Sequence, residues 1–373
     1  MRKKVLIIFL IALLLFVLTG CNNSSGTNNT GSDSDTTIPP ELTVGFIYIG
    51  SVDDEGFTQT QHGGTLSLQE HFAGKVNCVW LENVDGAGAQ DAAKELIGRG
   101  ATVIVGTSFD FGDALYKMAT SGDYDDITFL HFSGSGLAEN MGNYYGAMEE
   151  PRYLSGIIAG MQTKSGKLGY VAAYPYTEVM IGINAFTLGA RSVNPEVTVN
   201  VVYTHSWYDP DKEKVAAESL LYQGCDVITQ HADTVGPQLA AADAGKFCIG
   251  YNLDNGGVDG LQDSYLTAPV WHHEKYLIPQ IQAILDGTWT PESYYGNMKD
   301  GYVGLAPLTK NVTEEAKAKV EEARAQIISG EKKVFAGPIY DSDGELKVKE
   351  GDTLDRAAIW ATDYVVKGMI VSQ

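Results

Sequence analysis

From residue 43 onward, short apolar runs alternate with segments of helical periodicity. This alternation is typical of β-α-β units, in which helices cover both faces of a parallel sheet. The pattern therefore predicts an α/β fold. It predicts eight strands in two successive sets of four, at residues 43–50, 76–81, 102–107 and 127–132, and then at 168–173, 197–204, 227–230 and 247–251.

The two sets of strands share one register along the chain. Gly45 and Gly169 are 124 residues apart, as are Gly100 and Gly224. A duplicated unit of about 120 residues has the usual size of a domain, so we expect two similar lobes that face each other. A chance likeness between any two β-α units is the alternative. Around the second glycine pair, apolar positions recur at the same offset, with Ala93, Leu96, Val103 and Ile104 matching Ala217, Leu220, Val227 and Ile228.

The repeat predicts an N-terminal lobe at 41–150 and a C-terminal lobe at 151–272. Helical periodicity at 273–285 and 314–328 lies outside the repeat, so these segments are expected to cross between the lobes and to form a multi-strand hinge. On this interpretation, about 273–300 returns to the first lobe and about 301–373 completes the second. Residues 341–352, with an Asp-Ser-Asp-Gly turn, are predicted to form a solvated hairpin loop.

The chain begins with three basic residues at 2–4, followed by 14 apolar residues at 5–18. That run is too short to span a bilayer, which takes about 20 residues. The sequence Leu18-Thr19-Gly20-Cys21 matches the bacterial lipobox, so we expect a signal peptide at 1–20 and lipid, including an acyl chain such as palmitate, on Cys21. The protein would then lie on the outer face of the bacterial cell membrane. An uncleaved anchor, the alternative, places the chain on the same side.

Composition limits the partners of the folded part. Residues 22–40 hold no basic residue and a single aliphatic one, so 21–40 is predicted to be a flexible tether. The residues that follow the predicted tether are more than one hydrophobic core usually covers, so two domains are expected. A net charge of −21 argues against nucleic acid, and against membrane contact other than through the lipid. Because Cys78, Cys225 and Cys248 are odd in number, they cannot all pair, and we expect buried thiols in strands. Separately, we expect the protein to be a monomer.

Ligands of open parallel sheets bind at the carboxyl ends of the strands. The loops after the predicted strands lack Lys and Arg, which argues against a phosphate or carboxylate ligand. Carboxylates and aromatic rings in these loops suit a flat ligand rich in N–H donors, such as a purine or pyrimidine. Alternatively, these side chains are solvated or pack only on their own loops. The loops are 51–59, 108–112, 133–140, 174–178, 205–209, 231–237, 252–259 and 269–272.

Signals for catalysis and metal binding are weak. The chain has neither a Gly-x-Ser-x-Gly elbow nor a His-Glu-x-x-His motif, and Ser135 and Cys225 lack the local motifs of nucleophiles. Adjacent histidines such as His272 and His273 point about 100° apart on a helix, which disfavours joint ligation of a metal. The sequence therefore predicts a protein that is not an enzyme and has no metal or cofactor.

Five segments resemble the basic membrane protein family, the purine nucleoside receptor type of ABC-transporter substrate-binding lipoprotein. The resemblance implies a type I periplasmic-binding fold, with two Rossmann-like lobes closing on a purine base or nucleoside. It also implies delivery to an ABC permease that is powered by a separate ATPase. The similar segments are 44–48 with 55–58 (VGFIY and EGFT), 182–195 (GINAFTLGARSVNP), 207–210 (WYDP), 230–233 (QHAD) and 285–289 (LDGTW).

The resemblance also implies site residues. Phe57 and Trp207 are similar to the two aromatic jaws that enclose the base, and Asp254 to the acid that reaches the sugar. Asp233 and Glu178 match polar loop positions of one branch of the family. Loops and resemblance together predict ligand contacts from Asp54, Phe57, Thr58, Ser108, Phe109, Glu178, Asn184, Trp207, Asp233, Asp254 and Trp271.

Three departures from the nucleoside-binding branch bear on the ligand. Gly56-Phe57-Thr58 stands where the branch has Ser-Phe-Asn, and the position of its base-binding acid falls near Ser133. Its ribose-binding lysine falls near Trp271, so the ribose contact is in question and a free base such as adenine is predicted at least as strongly as a nucleoside. Three alternatives stay open: a sugar or autoinducer receptor, a lipoprotein sensor without transport, and an enzyme acting on nucleosides.

Overall fold

The structure is a computed structural model that describes residues 41–371. The predicted signal peptide at 1–20, the predicted lipid anchor Cys21 and the predicted tether at 21–40 lie outside the described residues. Between 41 and 371, no helix combines the length and the apolar character needed to cross a bilayer.

The first half of the described chain alternates strands and helices. Its strands form a six-stranded parallel sheet with the order β11-β5-β4-β3-β1-β2, in which β11 arrives from much later in the chain. The elements are β1 (Leu42–Ile47), α1 (Phe57–His71), β2 (Val76–Leu81), α2 (Ala89–Gly98), β3 (Val103–Gly106), a short 3-10 helix (Phe109–Phe111), α3 (Gly112–Ala119), β4 (Thr128–Phe132), β5 (Met141–Gly146) and α4 (Glu149–Gln162).

The second half repeats this alternation. Its strands form a five-stranded parallel sheet with the order β15-β7-β6-β8-β9, in which the last strand of the described chain is an edge. All eight predicted strands are present, so the predicted α/β class is confirmed. The elements are β6 (Lys167–Ala172), α5 (Thr177–Val193), β7 (Thr198–Tyr203), α6 (Pro210–Tyr222), β8 (Val227–His231), α7 (Gly236–Asp243) and β9 (Phe247–Cys248).

The 124-residue repeat holds at the level of strand pairs. Gly45 of β1 is paired with Ile104 of β3, and Gly169 of β6 is paired with Ile228 of β8 at the same offset. A Cβ on either glycine would press against the equivalent leucine of the covering helix, Leu96 in α2 or Leu220 in α6. Glycine is therefore needed at both positions because a helix approaches the strand closely there.

The remaining segments return to both sheets. The helices predicted at 273–285 and 314–328 are confirmed with ends that differ by one residue. Helix α8 packs against α1 and leads to β11 of the first sheet, whereas α9 packs against α4. The elements are β10 (Pro269–Trp271), α8 (Glu274–Leu285), β11 (Ser293–Gly296), β12 (Val303–Leu305), α9 (Glu314–Ser329), β13 (Ile339–Tyr340), β14 (Leu346–Val348), α10 (Arg356–Trp360) and β15 (Met369–Val371).

The predictions for the three cysteines and for residues 341–352 are confirmed only in part. Cys78, Cys225 and Cys248 are buried free thiols, although Cys225 precedes β8 and does not lie within it. Residues 341–352 do form a hairpin, because β13 and β14 are antiparallel. Asp341, however, is buried. Its carboxylate accepts hydrogen bonds from the N–H groups of Asp343 and Glu345 within the hairpin. The prediction of a solvated loop is therefore wrong at Asp341.

Candidate functional site

A cavity of about 30 Å³ lies among the loops that follow strands of the two large sheets. It adjoins a larger cavity of about 820 Å³, because Phe109, Ser133, Tyr145 and Glu178 line both. The carboxyl ends of parallel strands are where such folds bind ligands. The small cavity is lined by Phe57, Ser108, Phe109, Phe132, Ser133 and Tyr145 from the first sheet, and by Glu178, Trp207 and Asp233 from the second.

The first aromatic wall is Phe57, the first residue of α1, whose ring lies 5.7 Å from that of Phe132. The loop before α1 is held by Asp54, whose carboxylate accepts bonds from the N–H groups of Gly56 at 2.9 Å and Thr58 at 2.8 Å. Thr58 is buried, and its hydroxyl oxygen accepts a bond from the N–H of Gly50. Asp54 and Thr58 were predicted as ligand contacts; here they position Phe57 and do not line the small cavity.

The second aromatic wall is Trp207, in the loop between β7 and α6. Its backbone carbonyl accepts a bond from the N–H of Asp233 at 3.0 Å. The rings of Tyr174 and Tyr176 lie 5.4 and 6.0 Å from it. These neighbours hold the indole at the cavity, on the side opposite Phe57.

Two carboxyl groups complete the polar lining. Burial and the charges of nearby carboxylates raise the pKa of Asp233 well above its ordinary value. Burial raises the pKa of Glu178 to about 7, although a hydrogen bond from the Ser133 hydroxyl opposes the shift. These surroundings favour the protonated form of Asp233, whereas Glu178 titrates near neutral pH. A protonated carboxyl both donates and accepts a hydrogen bond.

The loops of the two sheets touch across the cavity. The N–H of Phe57 donates to the backbone carbonyl of Asp233 at 3.4 Å, and the Asn255 amide donates to the carbonyl of Glu55 at 2.8 Å. The Ser133 hydroxyl donates to Glu178, as noted above. The structure thus describes a closed cleft, in which a ligand would contact both sides at once.

Three residues predicted as ligand contacts lie elsewhere. Asn184 is fully buried under the C-terminal segment, donating to the carbonyl of Tyr364 and accepting from the N–H of Val366. Asp254 is exposed, and its carboxylate accepts a hydrogen bond from the N–H of Gly256 in the same loop. Trp271 is buried behind Phe132, 5.2 Å from it, and its indole N–H donates to Asn252. None of the three lines the small cavity.

Replacing Asn184 by Ala is expected to lower the free energy of unfolding by about 1–3 kcal/mol, because the buried N–H of Val366 and the partly buried carbonyl of Tyr364 lose their partner. Ligand affinity should stay unchanged. Urea unfolding and a calorimetric titration check the two statements separately. The matched control is Ser192→Ala on the same helix, where one intrahelical bond is lost. A loss of affinity without loss of stability would instead support the motif-based prediction of a ligand contact.

Other cavity residues are not among the predicted ligand contacts. Phe132 ends a predicted strand, so its position at the cavity could have been inferred, and Ser133 has the left-handed backbone conformation with φ of 64°. Tyr145 lies in β5, whose sequence does not predict a strand. Arg356 and Trp360 of α10 line the larger cavity. The loops after the predicted strands contain no Lys or Arg, but the guanidinium of Arg356 from the C-terminal segment lines the larger cavity.

Metal-ligating geometry is not found in the described part of the chain. Among residues 41–371, no group of three or more His, Cys, Asp or Glu side chains is placed to hold a metal ion. His273 is buried beside the Tyr302 hydroxyl, with 3.2 Å between Nδ1 and the oxygen, while His272 points toward Glu274.

The chain is similar in sequence to two binding proteins. A purine-binding protein of Brucella abortus is 38% identical over 330 residues, 88% of this chain and 93% of that protein. A putative ABC transporter glucose-binding protein of Haloferax volcanii is 35% identical over 309 residues, 82% of this chain and 76% of that protein.

A solved structure shows the same fold. The ABC transporter solute-binding protein of Aeropyrum pernix superposes with a TM-score of 0.69 at 20% identity, covering 78% of this chain and 92% of that one. The predicted type I periplasmic-binding fold is thereby confirmed. Residues 41–336 match the family described as Bmp, ABC transporter substrate-binding protein PnrA-like. Matched over most of its length, the chain belongs to this family of ABC transporter substrate-binding proteins.

Proposed function

We propose that this protein is a lipid-anchored extracytoplasmic receptor that captures a purine and delivers it to an ABC permease with a separate ATPase. The observation that carries the proposal is the placement of Phe57 and Trp207 beside opposite sheets, with the carboxyls of Glu178 and Asp233 between them. The cavity of about 30 Å³ that they line has room for about one water molecule, so a purine would enter it from the adjoining larger cavity with the two aromatic walls further apart. The name of the Brucella relative, a purine-binding protein, supports the same ligand class. Anchoring rests on the lipobox that ends at Cys21.

The chemistry of the lining matches a purine. Each aromatic face that stacks on a base contributes about 1–3 kcal/mol, and micromolar binding needs about −8 kcal/mol in total. The edge of a purine alternates hydrogen-bond donors and acceptors. A protonated Asp233 matches a donor–acceptor pair, whereas Glu178 accepts from N–H groups when it is ionised.

The free base is favoured over the nucleoside. Asp254, the residue similar to the family's sugar-binding acid, is exposed and turned into its own loop. Trp271, at the position of the ribose-binding lysine, is packed between Phe132 and Tyr145. We therefore propose adenine or another purine base as the main ligand. The receptor would be a monomer, with an N-terminal lobe at 41–150 and a C-terminal lobe at 151–272.

Mass spectrometry of small molecules released from the purified chain tests the proposal first. We expect a purine base, and calorimetric titration with adenine, guanine, hypoxanthine, xanthine and their nucleosides should rank bases above nucleosides. Binding of glucose without any purine would support the sugar receptor. Turnover of inosine or adenosine would indicate an enzyme, and either result would overturn the proposal. A sensor would bind purines as well, so transport itself is tested by purine uptake in cells lacking the protein.

A further inference from the structure

Arg152, in the first turn of α4, is a buried cation without a hydrogen-bonding partner. Its side chain has no exposed surface, and none of its three guanidinium nitrogens meets an acceptor among residues 41–371. The guanidinium carbon lies 3.8 Å from the ring centre of Tyr251 and 5.4 Å from that of Tyr170. Aromatic faces offset part of the cost of burying a cation, but they leave its N–H groups unbonded.

Two further unpartnered polar atoms face the same place. They are the Tyr170 hydroxyl and Nδ1 of His231, both buried and without a partner in the described chain. A methyl group on Gly182 of α5 would lie 3.3 Å from His231 Nδ1, 3.5 Å from the Tyr170 oxygen and 3.6 Å from Arg152 Nε. Atoms from α4, β6 and β8 therefore converge on one spot of the α5 surface, where glycine has no side chain.

The atoms that converge there can all donate. Arginine has only donors. The Tyr251 hydroxyl lies 3.3 Å from His231 Nε2, and when it donates there the proton of the neutral ring sits on Nδ1, toward the spot. Burial, aided by the charge of Arg152, lowers the pKa of His231 well below its ordinary value, which keeps the ring neutral. Burial raises the pKa of Tyr170 to about 12, so its hydroxyl keeps its proton.

The carboxyl groups on the adjoining turns of α4 and α5 do not bond to the guanidinium. Glu149, one turn earlier on α4, accepts a bond from the Tyr295 hydroxyl at 2.9 Å, and Glu178, one turn before Gly182 on α5, accepts from Ser133. The spot is thus ringed by donors, and the guanidinium has no carboxylate in direct contact among residues 41–371. A buried charge without a counter-charge costs several kcal/mol, whereas a paired and hydrogen-bonded one is tolerated.

We propose that Arg152, Tyr170 and His231 form, against Gly182, an internal site for one small monovalent inorganic anion, with chloride as the expected occupant. A water oxygen would accept the hydrogen bonds but would leave the charge uncompensated. These residues line neither of the two cavities described above. The anion site therefore stands independently of the purine proposal and would stabilise the folded chain by mass action.

Bromide, a heavier substitute for chloride, locates the anion directly. Crystals of the full chain grown in sodium bromide and measured at the bromine absorption edge should show an anomalous peak about 3.5 Å from the Arg152 nitrogens. The thermal unfolding midpoint should rise by about 2 °C or more between 0 and 300 mM chloride, with gluconate keeping the ionic strength constant. The absence of a bromide peak beside Arg152 would overturn the proposal and leave water as the partner.

Two variants test the geometry. Gly182→Ala places a methyl group at the spot, in a helix interior that favours alanine, and should abolish both the peak and the chloride-dependent rise. Tyr170→Phe removes one donor and should reduce the chloride-dependent rise, and it serves as the test if Gly182→Ala does not fold. Gly98→Ala, where a Cβ meets nothing within 4 Å, is the matched control. A chloride response equal in all three variants and in the unsubstituted chain would contradict the site.

Discussion

Replacing Trp207 by Ala is expected to weaken purine binding at least tenfold while the fold stays intact. The indole is the aromatic wall from the second sheet, so its loss removes one of the two stacking faces, worth about 1–3 kcal/mol. A loss of about 1.4 kcal/mol is a factor of ten in affinity. Isothermal titration with adenine measures the loss, and the urea unfolding midpoint monitors stability.

The neighbouring Tyr208 provides the control for this experiment. Its side chain is 39% exposed and it does not line the small cavity, so Tyr208→Ala removes an aromatic ring from the same loop without touching the proposed ligand. Trp207→Phe, which keeps a smaller face, should bind with intermediate affinity. Equal affinities of the Trp207→Ala and Tyr208→Ala variants would remove Trp207 from the site and leave the stacking proposal without its second wall.

Strands whose apolar residues are contiguous could be predicted from the sequence alone. Strand β3 is buried along its whole length, which is why its sequence VIVG is a short apolar run. Strand β5 differs, because its sequence MGNYYG contains two glycines and an asparagine, which are weak strand formers. It is a strand because β4 and β11 pair with it on both sides, and such long-range pairing leaves no local pattern.

The candidate site could be predicted in part. The residues that lie in the loops or helix starts after strands meet at the small cavity, as the rule for parallel sheets predicts. They are Phe57, Ser108, Phe109, Glu178, Trp207 and Asp233. Asn184 lies in a segment that resembles the family closely, but a resemblance does not distinguish a buried structural amide from a ligand contact. Its partners, Tyr364 and Val366, are some 180 residues away in the chain. That contact depends on where the C-terminal segment folds back.

The contacts between the two sides of the cavity give ligand binding a mechanical consequence. A purine between Phe57 and Trp207 would touch both sides only when the cleft is closed, and it would therefore favour the closed state by its differential contacts. The direct bonds from the Phe57 N–H to the Asp233 carbonyl and from the Asn255 side chain to the Glu55 carbonyl add to the closed state. The first of them needs a very close approach of backbone to backbone. Gly56 is the residue that permits this approach.

Replacing Gly56 by Ala is expected to weaken purine binding by about 10- to 100-fold by hindering closure. A Cβ at this position would collide with the backbone carbonyl of Asp233 across the cleft, and backbone does not rotate away as a flexible side chain does. Overpacking of this kind costs about 1–3 kcal/mol, and here the cost falls only on the closed state. Calorimetry measures affinity, and small-angle scattering measures the contraction on adding adenine, which should shrink or vanish.

The same helix supplies the control. Gly63→Ala on α1 places a Cβ where nothing lies within 4 Å, so it has the same chemistry without the collision. Both variants should unfold at similar urea concentrations, because the collision is absent when the cleft opens. A Gly56→Ala variant that contracts and binds like Gly63→Ala would mean that the loops close with a different spacing. Strong destabilisation of the Gly56→Ala variant would mean that Asp233 and Gly56 stay in contact even without ligand. In that case a permease could not distinguish the ligand-bound protein from the empty one by its closure.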